Sequence, residues 1–447
     1  MGRDSLVLLD WQKTDKPPLL GPQTSALPFN QSAFYFYLLY PFFIATHGSP
    51  YAALFTIDLY YLFFFTITFI FVLRTKEAKV VRVFLLALGL IVLHPQFILQ
   101  NRFVWNPSFV GPLIFLSFFV FYFLIHYFSW KKVVILGFTL ALAVSLSYSV
   151  APILIGFGVG CIVFLKKRSF AIGASLAGWL VFFNIPTAIF EVRHHFLLTQ
   201  MLLHQPKVKQ LNIDFSSKVN DLLSHALTTY PPDWQKFLAL IFILSIVIGS
   251  WIYLHRPNHL ISSDKERKQL FFSSLLIFLV GLGTTFIFPI PILAHYIFGI
   301  VTLGCIVLAS LPNKIRIPVV IIFAFFWTVP IFTQQYFKPA ERTVTQMQQC
   351  YQKFCSQEKS PIYVSLQSGI LPFHNGPEHR YLLRQAGCDV KDIETDVNAA
   401  NKMAIVVESS QFTFGKTDYA ELSAFAPHQE SGIVSCQPNL SIVTVTR

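Results

Sequence analysis

Long apolar runs alternate with short charged connections through most of this chain. The runs fall at 51–73, 80–99, 108–129, 132–149, 150–165, 170–190, 236–254, 269–288, 291–311 and 317–337. A helix needs about 20 apolar residues to cross the hydrocarbon of a bilayer, so the pattern predicts about ten membrane-spanning helices. Only 145–152 interrupts the pair at 132–165. Ahead of the first run, 3–11 reads as an acid-bearing helix, and 16–28 is rich in proline and glycine. The aromatic run 34–43 is too short to span and contains Pro41. It suits a helix lying in the interface. Segment 1–50 is therefore expected to be an external loop that roofs a site enclosed by the spans. After 337 the pattern changes. An amphipathic helix is predicted at 340–357, strands at 361–367, 403–408 and 442–446, and a helix at 378–386 that ends at Gly387. This is the pattern of a small α/β domain, 338–447, within the usual domain size.

Composition agrees with a membrane protein. The chain is 54% hydrophobic and 16% aromatic, with a mean hydropathy of +0.56. Charged residues make up 13%, against about 25% in soluble proteins. The net charge of +12 raises nucleic acid as a partner, but the positions of the basic residues exclude it. They cluster in every second connection: Arg74, Lys76, Lys79 and Arg82; Lys131 and Lys132; Lys166, Lys167 and Arg168; Arg256, Lys265, Arg267 and Lys268; Lys314 and Arg316. The positive-inside rule assigns those connections to the cytoplasm. The domain at 338–447 and the long connection 191–234 are then external. So is the N-terminal segment, which lacks the basic-then-apolar order of a secretory signal. The parity predicts a further helix ahead of Met1.

External cysteines permit disulfides. Cys350, Cys355, Cys388 and Cys436 lie in the C-terminal domain, and they either pair or remain buried thiols. Cys161 and Cys305 lie in spans and read as packing residues. No cysteine–histidine spacing suits zinc, and no nucleotide-binding or metalloprotease motif occurs. Polar side chains at membrane depth or at external span ends are the candidates for chemistry. Asp58 lies in the outer third of the first span, and it either faces an external cavity or bonds to a neighbouring helix. Arg102 breaks the charge bias in the external connection 100–107, which also carries Asn106. A guanidinium there suits phosphate or carboxylate. Glu191, Arg193, His194 and His195 enter the 191–234 loop, which continues with Lys207, Lys209 and Lys218. A cationic rim beside the bilayer suits an anionic lipid headgroup. His295 and Tyr296 open the ninth span and either bind a headgroup or anchor at the interface. Asp4 and Asp10 are the acids of the opening helix.

The strings GRDSLVLLDW and LLGPQTS near the start, FYFYLLYPFF, RFVWNPS at 102–108, IFEVRHHFLLTQ at 189–200 and HRYLLRQAG at 379–387 carry a resemblance. The chain resembles the type C (GT-C) glycosyltransferase superfamily over nearly its whole length. More narrowly, it is similar to the bacterial dolichyl-phosphate-mannose–protein mannosyltransferase-like group, related to the aminoarabinose transferase of lipid A. The resemblance implies an α-helical polytopic protein of the bacterial inner membrane with an extracytoplasmic α/β domain. It implies transfer of a sugar from a polyprenyl-phosphate donor to an external lipid, glycan or protein acceptor. Membrane lipids, the donor and the acceptor are the expected partners. No cofactor is expected, and a divalent metal is left open. The family acid falls at or before Met1, which leaves Asp4 as the nearest acid in this chain. Arg102, Asn106, Glu191, Arg193, His194, His295 and Asp58 are the residues expected to meet substrate. Asn30-Gln31-Ser32-Ala33 departs from the family's turn ahead of the aromatic run. Two other readings stand beside this one. One is a lipid or polysaccharide transporter, which predicts inverted repeats. The other is an inactive relative that serves binding or assembly.

Overall fold

The computed structural model describes all residues except 1, 25–29, 75–76, 205–213, 229–233, 256–261, 289–291, 334–342, 369–375, 409–419, 427–428 and 438–439. The helices in chain order are α1 (Gly2–Thr14), α2 (Phe34–Ala45), α3 (Ala52–Leu73), α4 (Ala78–Leu93), α5 (Pro95–Arg102), α6 (Val110–His126), α7 (Trp130–Leu146), α8 (Ala151–Leu165), α9 (Ser169–Phe183), α10 (Ile185–Arg193), α11 (Leu197–His204), α12 (Phe215–Leu227), α13 (Gln235–His255), α14 (Ser262–Ile287), α15 (Phe298–Ser310) and α16 (Asn313–Thr333). The C-terminal part continues with α17 (Val344–Gln357), β1 (Ile362–Ser368), α18 (Pro377–Gln385), β2 (Lys402–Glu408), α19 (Ala420–Phe425), β3 (Gln429–Gln437) and β4 (Leu440–Thr446). The chain divides into two compact units. One joins Met1–Pro17, Phe43–Pro50 and Lys338–Arg447, and the other is Pro18–Phe42 with Tyr51–Phe337. The sequence reading kept all of 1–50 together, whereas this division shares it between the units.

In the helical unit, six segments among the described residues are long and apolar enough to cross a membrane: Ala52–Leu73, Asn106–His126, Tyr148–Phe183, Gln235–His255, Glu266–Ile287 and Asn313–Thr333. The protein is thus a polytopic helical membrane protein. The predicted run 80–99 is not one straight helix. It breaks at His94 before Pro95, and α4 and α5 meet at 63°. Pro95 removes a backbone donor and forces the residue before it out of helical geometry. His94 accordingly takes an extended conformation, ψ 128°. The run 170–190 is broken at Asn184, ahead of Pro186. The run 291–311 contains only the 13-residue α15 after a 3-10 turn at Ala294–Tyr296.

The centre of this unit is made by the helices that are apolar on every side, as such helices must be. Every residue of α15 is buried, and α6 is buried from Val110 to Leu124. Small residues permit the close approaches. A side chain at Gly156 would strike the carbonyl of Ile277 on α14, one at Gly137 would strike Ser175 on α9, and one at Gly111 would strike the Phe298 ring. Packing of this kind replaces the hydrophobic drive that lipid cannot supply. α7 and α9 lie side by side and run in the same direction. Gly137 meets Ser175, and eight residues on, the carbonyls of Ser145 and Phe183 both bond to Ser32. The intervening α8 must therefore run in the opposite direction, packed against α14, and the chain turns at 166–168, where Lys166 has φ +51°.

The smaller unit holds a four-stranded sheet in the order β1-β2-β4-β3. β1 and β2 are parallel, joined through α18, while β4 is antiparallel to both β2 and β3. Tyr363, Met403, Ile405, Val407, Val443 and Phe425 belong to its core. The predicted helices and strands of 340–446 appear within a residue or two where they are described. Sequence reading missed α19 and β3, the latter an edge strand with register shifts. α1 packs on α18, where the backbone of Gly2 approaches Pro377 and Glu378 too closely for a side chain. Arg384 of α18 bridges Asp10 at 3.2 Å and Asp392 at 2.8 Å. Burial raises the Asp10 carboxyl above its ordinary range, against the pull of Arg384. Tyr381 and Gln385 both donate to the carbonyl of Gly48.

The four C-terminal cysteines are paired. Cys355–Cys388 ties α17 to the chain after α18, and Cys350–Cys436 ties α17 to β3. Alkylation without reduction should therefore label none of these four, and full reduction should expose them to label. Replacing Cys355 with Ser should lower the stability of the unit by about 2–5 kcal/mol, read from thermal unfolding of the intact protein.

Candidate functional site

The polar side chains of the helical unit gather at the ends of α5, α7 and α9. Gly21 and Pro22 are bonded to Asn30 and Gln31 there. Gly21 N–H donates to Gln31 O, Gln31 N–H to Pro22 O, and Asn30 Nδ2 to Gly21 O, all within 2.9 Å. Ser32 Oγ donates to Phe183 O at 2.6 Å. Asn106 Nδ2 donates to Gln31 Oε1 at 2.5 Å and to Leu146 O at 2.8 Å. Ser108 Oγ donates to Gln100 Oε1 at 2.8 Å, and Tyr61 donates to Ser108 O. Asn30-Gln31-Ser32-Ala33 is thus the anchor of this end of the bundle.

A second group lies around α12. Its last turn is held from two sides. His94 Nε2 donates to Ala226 O at 2.7 Å, and Trp327 Nε1 donates to Leu227 O at 2.8 Å. His94 Nδ1 accepts from Gln96 N–H, which fixes a neutral ring protonated at Nε2. The His94 and Trp327 rings touch at 4.5 Å. At the other end of α12, the buried Lys218 donates to the carbonyls of Phe286 and Phe288. This places a cation on the unsatisfied C-terminus of α14, where the helix dipole favours it. Beneath α12 is an apolar cavity of about 310 Å³. Leu222 and Ala226 line it from above, Phe242 and Leu282 from the sides, and Val301 and Cys305 from α15. His225 shares a turn of α12 with these lining residues and lies within electrostatic reach of His295. Desolvation lowers the His225 pKa, and Asp221 opposes it. The His295 ring packs on Trp105 at 4.6 Å. A larger crevice of about 680 Å³ runs between α8 and α9, but its polar groups besides Cys161 are confined to Lys166, Lys167 and Ser169.

The expected site residues divide accordingly. The structure brings the 102–108 connection and His295 together through Trp105, with Arg102 exposed at the end of α5. Asn106 is buried and its amide is committed to Gln31 and Leu146, so it holds the loop in place. Glu191 caps α11. Its carboxylate accepts from Leu198 N–H at 2.8 Å, Thr199 N–H at 3.1 Å and Thr199 Oγ1 at 2.5 Å. His194 stacks on Phe190 at 4.0 Å and bonds that residue's carbonyl. Arg193 is exposed, and these three do not converge on a pocket. Lys207 and Lys209 of the expected cationic rim lie outside the described residues. Asp58 is exposed on α3, and among the described residues no hydrogen bond from a neighbouring helix reaches it. Asp4 belongs to the smaller unit, is 5% exposed, and pairs with Arg3 at 3.0 Å. Among the described residues no cluster of three or more metal-ligating side chains occurs. Sequence reading missed His94, Trp327, Gln31, Gln100 and His225. The one signal was His94-Pro95 with Gln96 and Gln100, polar residues grouped inside an apolar run.

Two outcomes test this arrangement. Asn106→Leu leaves Gln31 and the Leu146 carbonyl without their donor and should cost about 1–3 kcal/mol, seen as a lower melting temperature in detergent. Glu191 experiences desolvation that raises its pKa, but the hydrogen bonds from Thr199 and Leu198 prevail and leave it below 4.5. Its stabilisation of α11 is therefore present above that pH and lost as pH falls through the depressed value. Amide exchange in 197–204 should rise on acidification, and Glu191→Gln should flatten that response. No protein-family model matches the chain, and no curated protein matches it at a significant level.

Proposed function

We propose that this protein is an integral-membrane glycosyltransferase that moves a sugar from a polyprenyl-phosphate donor to an extracytoplasmic acceptor. The observation that carries this reading is the apolar cavity beneath α12, with His225 on the same turn of that helix as the lining residues and within electrostatic reach of His295, whose ring packs on Trp105. A prenyl chain suits the apolar interior. A phosphate suits the neighbouring imidazoles, and the guanidinium of Arg102 lies on the connection that carries Trp105. The resemblance in the sequence points to the same substrate class.

In this scheme an acceptor oxygen attacks the anomeric carbon in line. The new oxygen–carbon bond forms as the bond from that carbon to the phosphate oxygen breaks, and the lipid phosphate leaves with the electron pair. Arg102 and His295 stabilise the negative charge that develops on the leaving phosphate. An acidic side chain takes or orients the acceptor proton.

The same reading gives the topology. About ten passes follow if α4 with α5 forms one broken span, α8 and α9 cross separately, and the shorter α7 and α15 cross as well. The parallel course of α7 and α9 supports the latter. The α/β unit is extracytoplasmic in the bacterial cell membrane, which its two disulfides support, because such bonds persist in oxidising compartments.

The test is turnover of a panel of polyprenyl-phosphate sugars by protein purified from its native membrane and reconstituted in liposomes. Wild type should release free polyprenyl phosphate in the presence of an acceptor. Arg102→Ala and His295→Ala should each lower the rate by about 10²-fold with the melting temperature unchanged. Absence of donor consumption across the panel by well-folded protein rejects the reading and favours a binding or assembly role.

A further inference from the structure

α3 has two faces of different character. One is buried against the bundle through Thr56, Ile57, Tyr60, Tyr61, Phe64 and Thr68. The other is exposed along Phe55, Leu59, Leu62, Thr66 and Ile70, residues spaced four, three, four and four apart. That is the spacing of a helix-packing seam. Lipid alone would satisfy the apolar members of this stripe, and they need no further partner. Asp58 is different. It is the seventh residue of a 22-residue span, about 9 Å along the axis from the first. At that depth an exposed carboxylate meets hydrocarbon rather than water, and aspartate is too short to snorkel far. Among the described residues no hydrogen bond or ion pair reaches Asp58. Thr66 lies two turns further along the same stripe. The hydroxyls of Thr56 and Thr68 bond to their own helix, at Ala52 O and Phe64 O. Among the described residues Thr66 makes no such bond. Among the described residues the stripe therefore carries two polar groups without a hydrogen-bond or ion-pair partner, one of them an acid.

We propose that this face of α3 docks a transmembrane helix bearing a lysine or arginine at the depth of Asp58. The charge selects the occupant. A cationic side chain turns the isolated carboxylate into an ion pair inside the membrane and leaves the apolar seam to pack around it. A second copy of α3 does not fit this role. Between Ala52 and Leu73 the sequence has no Lys, Arg or His, and a symmetric pairing would set Asp58 against itself. The inference is independent of the glycosyltransferase reading, because it concerns the outer face of α3 and not the cavity beneath α12.

The test uses the whole protein, donor-labelled and reconstituted in phosphatidylcholine liposomes. Two acceptor-labelled synthetic transmembrane peptides of leucine and alanine are compared. One has a single lysine at the matching depth, and the other has leucine there. Energy transfer reports association. Wild type should bind the lysine peptide at least about tenfold more tightly than the leucine peptide. Asp58→Glu should retain the preference and Asp58→Leu should abolish it, with helicity and melting temperature confirming that each variant is folded. Equal binding of the two peptides by wild type overturns the proposal, as does a lysine preference that survives in Asp58→Leu. A disulfide between two Leu62→Cys chains in native membranes overturns it in favour of a second copy. Loss of the preference when phosphatidylethanolamine is added overturns it in favour of a lipid amine.

Discussion

A polar group inside a membrane protein has no water to fall back on, so each one must find its partner within the chain. This constraint organises the helical unit. Ser32 reaches the free carbonyls at the ends of α7 and α9, and Asn106 joins Gln31 to the end of α7. These contacts satisfy carbonyls that helix ends leave exposed. They also fix Gln31 and Ser32 and the connection 102–108 relative to one another. Arg102 and Trp105 take their positions from that connection.

The same logic shapes the region of α12. This helix is amphipathic and short, and it needs outside support to hold its place. His94 and Trp327 supply that support by bonding its last carbonyls, while Lys218 ties its first turns to the end of α14. The break between α4 and α5 is what frees His94 for the task. The apolar cavity follows from this suspension, because α12 is held above the bundle by three polar contacts instead of packing down into it.

The smaller unit depends on a different balance. Its sheet buries a conventional apolar core, and α18 contributes charged residues to a network. Arg380, at 5% exposure, lies 3.0 Å from Glu394 and 3.6 Å from both Asp392 and Glu421. A buried guanidinium needs such partners, because leaving it unpaired would be far more costly than pairing it. His379 is also buried and bonds the Tyr351 hydroxyl at 2.6 Å. The two disulfides constrain α17 against this assembly.

What the sequence determined by itself was local or collective. Apolar runs of near-membrane length identified a polytopic helical protein, because bilayer thickness and backbone hydrogen bonding leave few alternatives. Period-two and period-3.6 patterns located β1, β2, β4, α17 and α18. The edge strand β3 escaped because an edge strand has no strict alternation to enforce. The sequence also singled out Arg102 and His295 from their chemical types, but the packing of Trp105 on His295 joins residues 190 positions apart. Tertiary structure alone decided which polar residues were already committed. Asn106 and Glu191 looked available, and the fold consumes both. His94 looked like an incidental residue in a span, and the fold makes it a support for α12. For Asp58 the sequence left a cavity or a neighbouring helix open, and the fold exposes it on α3. A side chain's type is written in the sequence, whereas its free hydrogen-bonding capacity depends on which distant backbone groups the packed helices bring to it.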